Sequence, residues 1–553
     1  MKNILIKTLI FLLALMVLSA CDDILDENNP SNITDDNYFD EENVGELVIA
    51  TYEGLRDMYK VYDNFTGTDL YTSESQLFEI NALNEYVDIN STMAGGLWTR
   101  SYRVISRANI AIERFNQVQF SNETQKAVGI AEAKALRALG YFKLVQQYGG
   151  VPLILDEVTS IRTDYARATE EAVYMQIITD LNEAIPSLDA DAEVGRMTPR
   201  AAKHLLAQVY LTRGYLSFGS TSDFSEAASL AEEVIGGYDI RTQTFEDVFS
   251  LDNQQNPEIL FSVQYERTSN VGDYSNTKHG LVMFAVDQLP GISRGNPYGA
   301  STGGGMPTDY FYNLFAENDT REAVTFHRAL FADQEDEYVL LDENGQAIES
   351  IQYAVGDTVV FFPKTALSLE EIATRNYYVY NPGWYYKNDT DIPAEIPGYK
   401  FNYVTNQFAV YPIFKKFDDE GIDAGENGSR DTYIFRVAES HLIAAEAYLQ
   451  AGNQTSALKH INIVRERATG DAAFYNGTLT IDDILEERAL ELAGEDDRWN
   501  VLKRTGTLET RINLYNPHVQ DHGEFNANVH LLRPIPESEI LLSDGSLVQN
   551  TGY

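Results

Sequence analysis

The sequence predicts a mainly α-helical protein whose paired helices carry a loop-rich face with a few short strands. Three observations point there. Apolar residues recur at steps of three and four through two long regions, one in the N-terminal half and one near the C-terminus, as one buried helix face requires. A pattern of small residue, aromatic and glycine appears once in each region. Between about residues 237 and 431 the helical period fades, and residues 377–417 hold 13 aromatics against a chain-wide share of 11%.

The 553 residues exceed one small domain, and 44% hydrophobic with 23% charged residues is a globular composition. Acidic residues outnumber basic ones by 84 to 41, a net charge of −43. Such a chain repels phosphate backbones, which excludes nucleic acid bound over a broad face. Cys21 is the single cysteine, so the chain forms no internal disulfide and no zinc cluster.

Residues 1–20 carry Lys2 and Lys7 ahead of an uncharged run at 8–18, too short to span a bilayer and right for a signal peptide. Leu18-Ser19-Ala20-Cys21 looks like a bacterial lipobox, which predicts lipidation at Cys21. Residues 21–39 are acidic, rich in asparagine and interrupted by Pro30, an extended tether.

Helices follow at 40–59, 97–118 and 126–148. The third ends at Gly149-Gly150 with Pro152 beyond, a strong stop signal. Its Leu136, Leu139, Tyr141, Phe142, Leu144, Val145 and Tyr148 cover most of the circumference, which makes it a buried helix. A fourth runs over 169–185, and Thr198-Pro199 opens a fifth with a cap residue before an N1 proline. Ala207, Tyr210 and Gly214 share their spacing with Ala445, Tyr448 and Gly452. Each set precedes a helix with small residues, Ala227-Ala228 or Ala457, which suits tetratricopeptide-like packing in a degenerate repeat. Phe435, Ala438, Leu442, Ala445 and Leu449 predict one C-terminal helix. Residues 256–265 read as a short strand and 291–305 as a glycine-rich loop. The division is signal peptide 1–20, tether 21–39, N-terminal helical region 40–245, and C-terminal region 246–553 with a loop-rich middle.

Together these landmarks resemble the SusD/RagB family of surface lipoproteins. The resemblance rests on Trp98, Tyr102, Ile105 and Ala108-Asn109, and on Ala131-Glu132-Ala133, Leu136-Arg137-Ala138, Tyr141-Phe142 and Tyr148-Gly149-Gly150-Val151-Pro152. Arg196, Thr198 and Ala201-Ala202 continue it. Arg436, Glu439, Leu442, Ala445-Glu446-Ala447, Arg465, Glu487-Arg488, Arg498-Trp499, Lys503-Arg504, Pro534-Ile535-Pro536 and Gln549-Asn550 with Gly552-Tyr553 complete it in order. One departure is Leu532-Arg533 before Pro534, where the family more often has Trp-Pro or Phe-Pro. The resemblance implies a SusD-like fold, a place on the outer face of the outer membrane, and a lipid anchor. It also implies a non-catalytic role: a nutrient glycan is bound and delivered to a SusC-like TonB-dependent transporter. A peptide ligand, as in RagB-like proteins, and a surface glycoside hydrolase are the alternatives.

The residues favour binding over catalysis. No zinc-protease, nucleophile-elbow or P-loop motif is present, and His204, His441 and His460 are scattered. No cofactor and no metal site is implied. Acidic pairs such as Glu486-Glu487 and Asp496-Asp497 are read as a solvated acidic face. Trp98 and Trp499 are read as core, as are Phe408, Tyr411, Phe414 and Phe417. Pyranose rings present C–H faces that lie on aromatic rings, so the candidate ligand contacts are aromatics in loop-like stretches: Tyr71, Tyr298, Trp384, Tyr385 and Tyr386.

Overall fold

In a computed structural model the described residues are 39–59, 66–73, 78–266, 276, 278–280, 282–295, 297–299, 305–341, 346–385, 392–393, 395–401, 409–419, 428–495 and 498–553. Cys21 and the rest of the leader and tether up to residue 38 lie outside them. No helix among the described residues is long and apolar enough to cross a membrane.

The N-terminal half is a helical body. Its elements are α1 (Gly45–Met58), β1 (Tyr71–Thr72), α2 (Phe78–Glu85), α3 (Ser91–Gln117), α4 (Glu123–Tyr148), α5 (Glu170–Ala184), α6 (Pro199–Gly214), α7 (Thr221–Ile235) and α8 (Phe245–Phe249). The five helices read from the period are α1 and α3–α6; α3 begins six residues earlier than its apolar pattern. At α4, Asn122 caps the first turn by accepting from Thr124 N, and Gly149 ends the last turn at φ 70°. The apolar residues of α4 are buried all round, and they meet Ile105, Val173, Ile177 and Leu205 in one core.

The chain continues through β2 (Ile259–Val263), β3 (Met306–Pro307), α9 (Asp309–Asn313), α10 (Arg321–Thr325), β4 (Ala329–Phe331), β5 (Asp336–Leu341), β6 (Ala347–Tyr353), β7 (Thr358–Phe361), α11 (Leu369–Ala373), β8 (Tyr378–Val379) and β9 (Thr432–Arg436). The strands form small sheets: β1–β3, β2–β9, β4–β7–β8 and β5–β6. The strand expected at 256–265 is β2, which pairs antiparallel with β9. Phe435 corrects one expectation. It belongs to β9 opposite Phe261, ring centroids 5.9 Å apart, and not to the helix that follows. Its step of three to Ala438 is accidental, because side-chain spacing alone does not mark where a ladder ends.

The C-terminal helices return to the body: α12 (Val437–Gln450), α13 (Gln454–Thr469), α14 (Ile481–Glu491), α15 (Arg498–Arg504), α16 (Leu508–Tyr515), α17 (Pro517–His522), α18 (Ala527–His530) and α19 (Glu537–Leu542). The repeated pattern has a packing reason. Ala207, Ala227, Ala228, Ala231, Ala444 and Ala447 meet where α6, α7 and α12 cross. A Cβ at Gly214 would lie 2.7 Å from the Phe224 ring, so glycine is what lets α7 close on α6.

The charged residues that carry the family resemblance are structural. Arg137 grips Asp180 with Nε and Nη2, each at 2.8 Å. Arg196 grips Glu132 at 2.8 and 2.6 Å, and Arg504 meets Glu446 at 2.7 Å. Glu487 corrects the reading of an acidic face. It is fully buried, 2.7 Å from Arg321 and 2.5 Å from Arg465. Asp496 and Asp497 lie outside the described residues. A burial signal for Glu487 was present in the apolar period of α14, where Ile484, Leu485 and Arg488 are buried with it.

Candidate functional site

The loop face is built on an aromatic core that joins distant segments. Tyr71 meets Phe311 and Phe414 edge-on at 5.7 and 6.2 Å. Tyr385 meets Tyr312 at 5.2 Å and Phe362 at 6.0 Å. Tyr298 lies edge-on to His327 at 5.3 Å, and Trp384 belongs to the same cluster. The structure therefore brings Tyr71, Tyr298, Trp384 and Tyr385 into one body, but as packed side chains. Tyr71 is 2% exposed, Tyr385 1%, Tyr298 6% and Trp384 9%.

The phenols of Tyr71 and Tyr298 are also engaged. Tyr71 Oη accepts from Gly494 N at 2.8 Å, and Tyr298 Oη accepts from Phe331 N at 2.6 Å. Burial pushes the Tyr298 phenol up to about 12, so it stays neutral. A ring with both faces in van der Waals contact presents none to a sugar, and in this arrangement the four support the face. Tyr386 lies outside the described residues, as does Phe408. Tyr411, Phe414 and Phe417 are buried in the cluster, and Trp98 and Trp499 are buried in helical cores.

The segment 66–73 is clamped from three sides. Asp69 is fully buried and accepts from Arg498 Nε at 2.9 Å, Arg498 Nη2 at 2.7 Å and Arg511 Nε at 2.6 Å. Burial alone would raise its carboxyl; the Arg498 and Arg511 charges overcome that and hold it below the usual carboxylate range. Asn516 Nδ2 donates to Thr68 O at 3.0 Å and Tyr71 O at 3.2 Å. Thr72 Oγ1 donates to Asn516 Oδ1 at 3.1 Å and lies 2.6 Å from His518 Nδ1. On the third side Thr308 N donates to Leu70 O at 2.9 Å, extending the β1–β3 ladder.

Beside this clamp stands a pair that sequence reasoning missed. Tyr310, in α9 directly after β3, stacks on Tyr515 at the end of α16, with centroids 3.7 Å apart and planes 17° from parallel. Both are half-buried. Arg511 ties the pair to the clamp: its Nη2 donates to Tyr310 Oη while its Nε holds Asp69. Its guanidinium carbon is 5.4 and 5.3 Å from the two ring centroids. Stacked face to face, the two rings cover one face of each other, and their partial exposure leaves the rest of the pair as an aromatic surface that a flat C–H face could meet. Tyr310 sits in an aromatic run, Tyr310-Phe311-Tyr312, which was a signal; nothing local marks Tyr515.

A second concavity, of about 350 Å³, lies between α3 and the C-terminal tail. Trp98, Tyr102, Pro152, Tyr165 and Leu542 line it, and it gathers none of the expected ligand residues. Two of the scattered histidines do meet: His441 Nδ1 lies 3.1 Å from His460 Nδ1. Among the described residues no group of three or more metal-ligating side chains is placed to hold an ion.

The comparisons with known proteins agree along the chain. The family described as "SusD family" matches residues 257–553, and one described as "Starch-binding associating with outer membrane" matches 23–211. A SusD-like protein of Bacteroides ovatus is 28% identical over 444 residues, 76% of this chain and 66% of the relative. Among solved structures, a laminarin binding SusD-like protein is 26% identical with a TM-score of 0.65, covering 93% of this chain and 100% of that one. The surface glycan-binding protein A from Bacteroides thetaiotaomicron, in complex with laminarihexaose, is 20% identical with a TM-score of 0.67. It covers 93% of this chain and 100% of that one, and shows the fold.

Proposed function

The chain belongs to the SusD family, and from that membership we propose that it captures a nutrient glycan at its loop face and passes it to a SusC-like TonB-dependent transporter. The family binds glycans without catalysis and is associated with the outer membrane, so this is a non-catalytic glycan-binding protein. The observation that carries the site is the half-buried Tyr310–Tyr515 stack, braced by Arg511 against the clamped segment 66–73. Tyr386, a further aromatic of the same sequence run, stays in the proposal as a candidate contact. Lipidation at Cys21 would hold the protein at the membrane, with residues 21–39 as tether.

The test is titration of the purified mature protein with laminarin-type and starch-type oligosaccharides and, in parallel, a peptide mixture. Saturable binding to a saccharide that is lost in a Tyr310→Ala, Tyr515→Ala double variant supports the reading. Binding to peptides alone would transfer the site to the peptide class. Release of reducing sugar during incubation would overturn the non-catalytic assignment. For the partner, mild-detergent purification from membranes should recover a larger β-barrel protein with this chain. For the anchor, Cys21→Ala should release the protein from the membrane fraction.

A further inference from the structure

The surroundings of Arg533 are unlike those of the other deeply buried arginines. Arg533 is 1% exposed. Arg321, Arg436 and Arg498, equally buried, each meet a carboxylate within 2.7 Å. Among the described residues Arg533 meets none, and its Nε, Nη1 and Nη2 are all buried without a hydrogen-bond acceptor. The guanidinium carbon lies 4.7 Å from the Trp499 ring centroid and 5.7 Å from that of Tyr86. It occupies the aromatic niche where the family pattern has a Trp or Phe. Its backbone is pinned on both sides: Arg533 N donates to Gln147 O and Asn550 Nδ2 donates to Arg533 O, each at 2.8 Å.

Ring faces stabilise the cation but leave its in-plane N–H groups unmatched, because a π-face accepts charge and not the fork of donors. An unmatched buried guanidinium is costly, and among the described residues no carboxylate pairs with it. Asp69, the acidic group near Tyr86, is held by Arg498 and Arg511. His530 is pushed down to about 4 by burial and then by the Arg533 charge, so it stays neutral; its Nδ1 accepts from Asn526 N, which leaves Nε2–H a donor and no acceptor for Arg533. With 1% exposure the site excludes any acceptor carried on a saccharide or peptide. We propose that Arg533 is the core of a binding site for a small monovalent anion of chloride's size, walled by Trp499 and Tyr86. Tyr86 Oη also donates to Gly67 O, so the anion would sit directly behind the clamped loop segment and stiffen it.

The test uses the whole mature protein. Melting is measured in sodium chloride, sodium bromide and sodium gluconate at equal ionic strength, because this acidic chain responds to screening by any salt. Chloride and bromide, but not gluconate, should raise the melting temperature in a saturating way, by about 2 °C at 100 times the dissociation constant. Crystals grown in bromide should show an anomalous peak within hydrogen-bond distance of the Arg533 guanidinium. Arg533→Phe should fold, because it replaces an unpaired charge by a ring in an aromatic niche, and it should lose the halide response. Equal melting in all three salts overturns the proposal. So does a halide response that persists in Arg533→Phe, a water refined at the guanidinium in place of bromide, or a bromide peak without any effect on melting, which marks an adventitious ion only. If Arg533→Phe does not fold, the bromide peak and the salt series on the natural sequence decide between the same outcomes.

Discussion

In the helical body, Leu136, Leu139 and Val145 on α4 find aliphatic partners on α3, α5 and α6, each within a neighbouring stretch of chain. In the aromatic half, between β3 and β9, the described helices α9, α10 and α11 have five residues each. Its Phe311, Phe326 and Phe414 pack ring against ring across a hundred residues of sequence. The two parts meet at a seam of buried charge. Arg321, Arg436 and Arg467 converge on Glu491, and Glu258 and Glu495 complete the set. The contrast has a physical root. A long amphipathic helix finds its partners locally, whereas short irregular segments are ordered by contacts that form only when the whole chain has folded. The charge seam makes that second part conditional on the first.

The largest expected effect follows from the seam. Glu491→Ala strips one carboxylate from three buried arginines at once, although Glu487, Glu258 and Glu495 still face them, and removing one partner of a buried pair costs about 3–5 kcal/mol. With three cations the loss should reach the top of that range or prevent folding. Leu136→Ala in the body should cost about 3 kcal/mol, as a buried leucine truncation does. Urea denaturation of both variants ranks them. If Leu136→Ala proves the more damaging, the seam is less important to the fold than the aliphatic core, and the comparison fails.

Acid and base responses should separate the two parts further. His441 on α12 is pushed down to about 3, by burial and then by His460 and Arg467. Between pH 6.5 and 3 the unfolded chain takes up a proton at His441 that the folded chain refuses, so stability falls as pH falls through that window. Asp431, just before β9, goes the other way. Burial raises its carboxyl to about 6, against hydrogen bonds from Tyr265 N and Gln264 Nε2 that lower it. Between pH 3.8 and 6 the folded chain holds a proton that the unfolded one has lost, so stability falls as pH rises. Each slope is bounded at about 1.4 kcal/mol per pH unit. His441→Asn should flatten the acid limb, and Asp431→Asn should remove the opposing slope. A stability–pH curve unchanged in either variant rejects that residue's part in it.

The same contrast explains what was legible in the sequence. Helices α1 and α3–α6 were readable because a period of 3.6 residues is written into one stretch of chain, with Thr198-Pro199 and Gly149-Gly150 marking ends. The strands β4, β7 and β8 were not, because each is short and its partner is set by tertiary packing; β5 and β6 pair locally and were missed. Glu487 was misread because a carboxylate's burial depends on Arg321 and Arg465, which lie elsewhere in the chain. The chosen loop aromatics Tyr71, Tyr298, Trp384 and Tyr385 share one buried cluster. The choice missed exposure, because a loop-like sequence does not reveal which ring is covered. Tyr310 and Tyr515 became a pair only through the fold.

The smallest expected effect on stability is at that pair, and it is the most direct test of the site. Tyr515 is half-buried at the end of α16, and its ring meets Tyr310 and Arg511. Stacked aromatics contribute about 0.5–1.5 kcal/mol beyond their area, so Tyr515→Ala should shift the urea midpoint only slightly. Asp69 keeps both of its arginines in this variant, so the clamp on residues 66–73 should survive. Against a saccharide ligand the same substitution removes half of the platform and should weaken binding several-fold. Tyr385→Ala supplies the opposite pattern. That ring is packed against Tyr312 and Phe362, so its loss should cost about 3–5 kcal/mol of stability. Calorimetric titration and denaturation of the two variants together separate platform from support. A Tyr515→Ala variant that binds normally places the ligand away from the stack, and the loop aromatic Tyr386 then becomes the next residue to substitute.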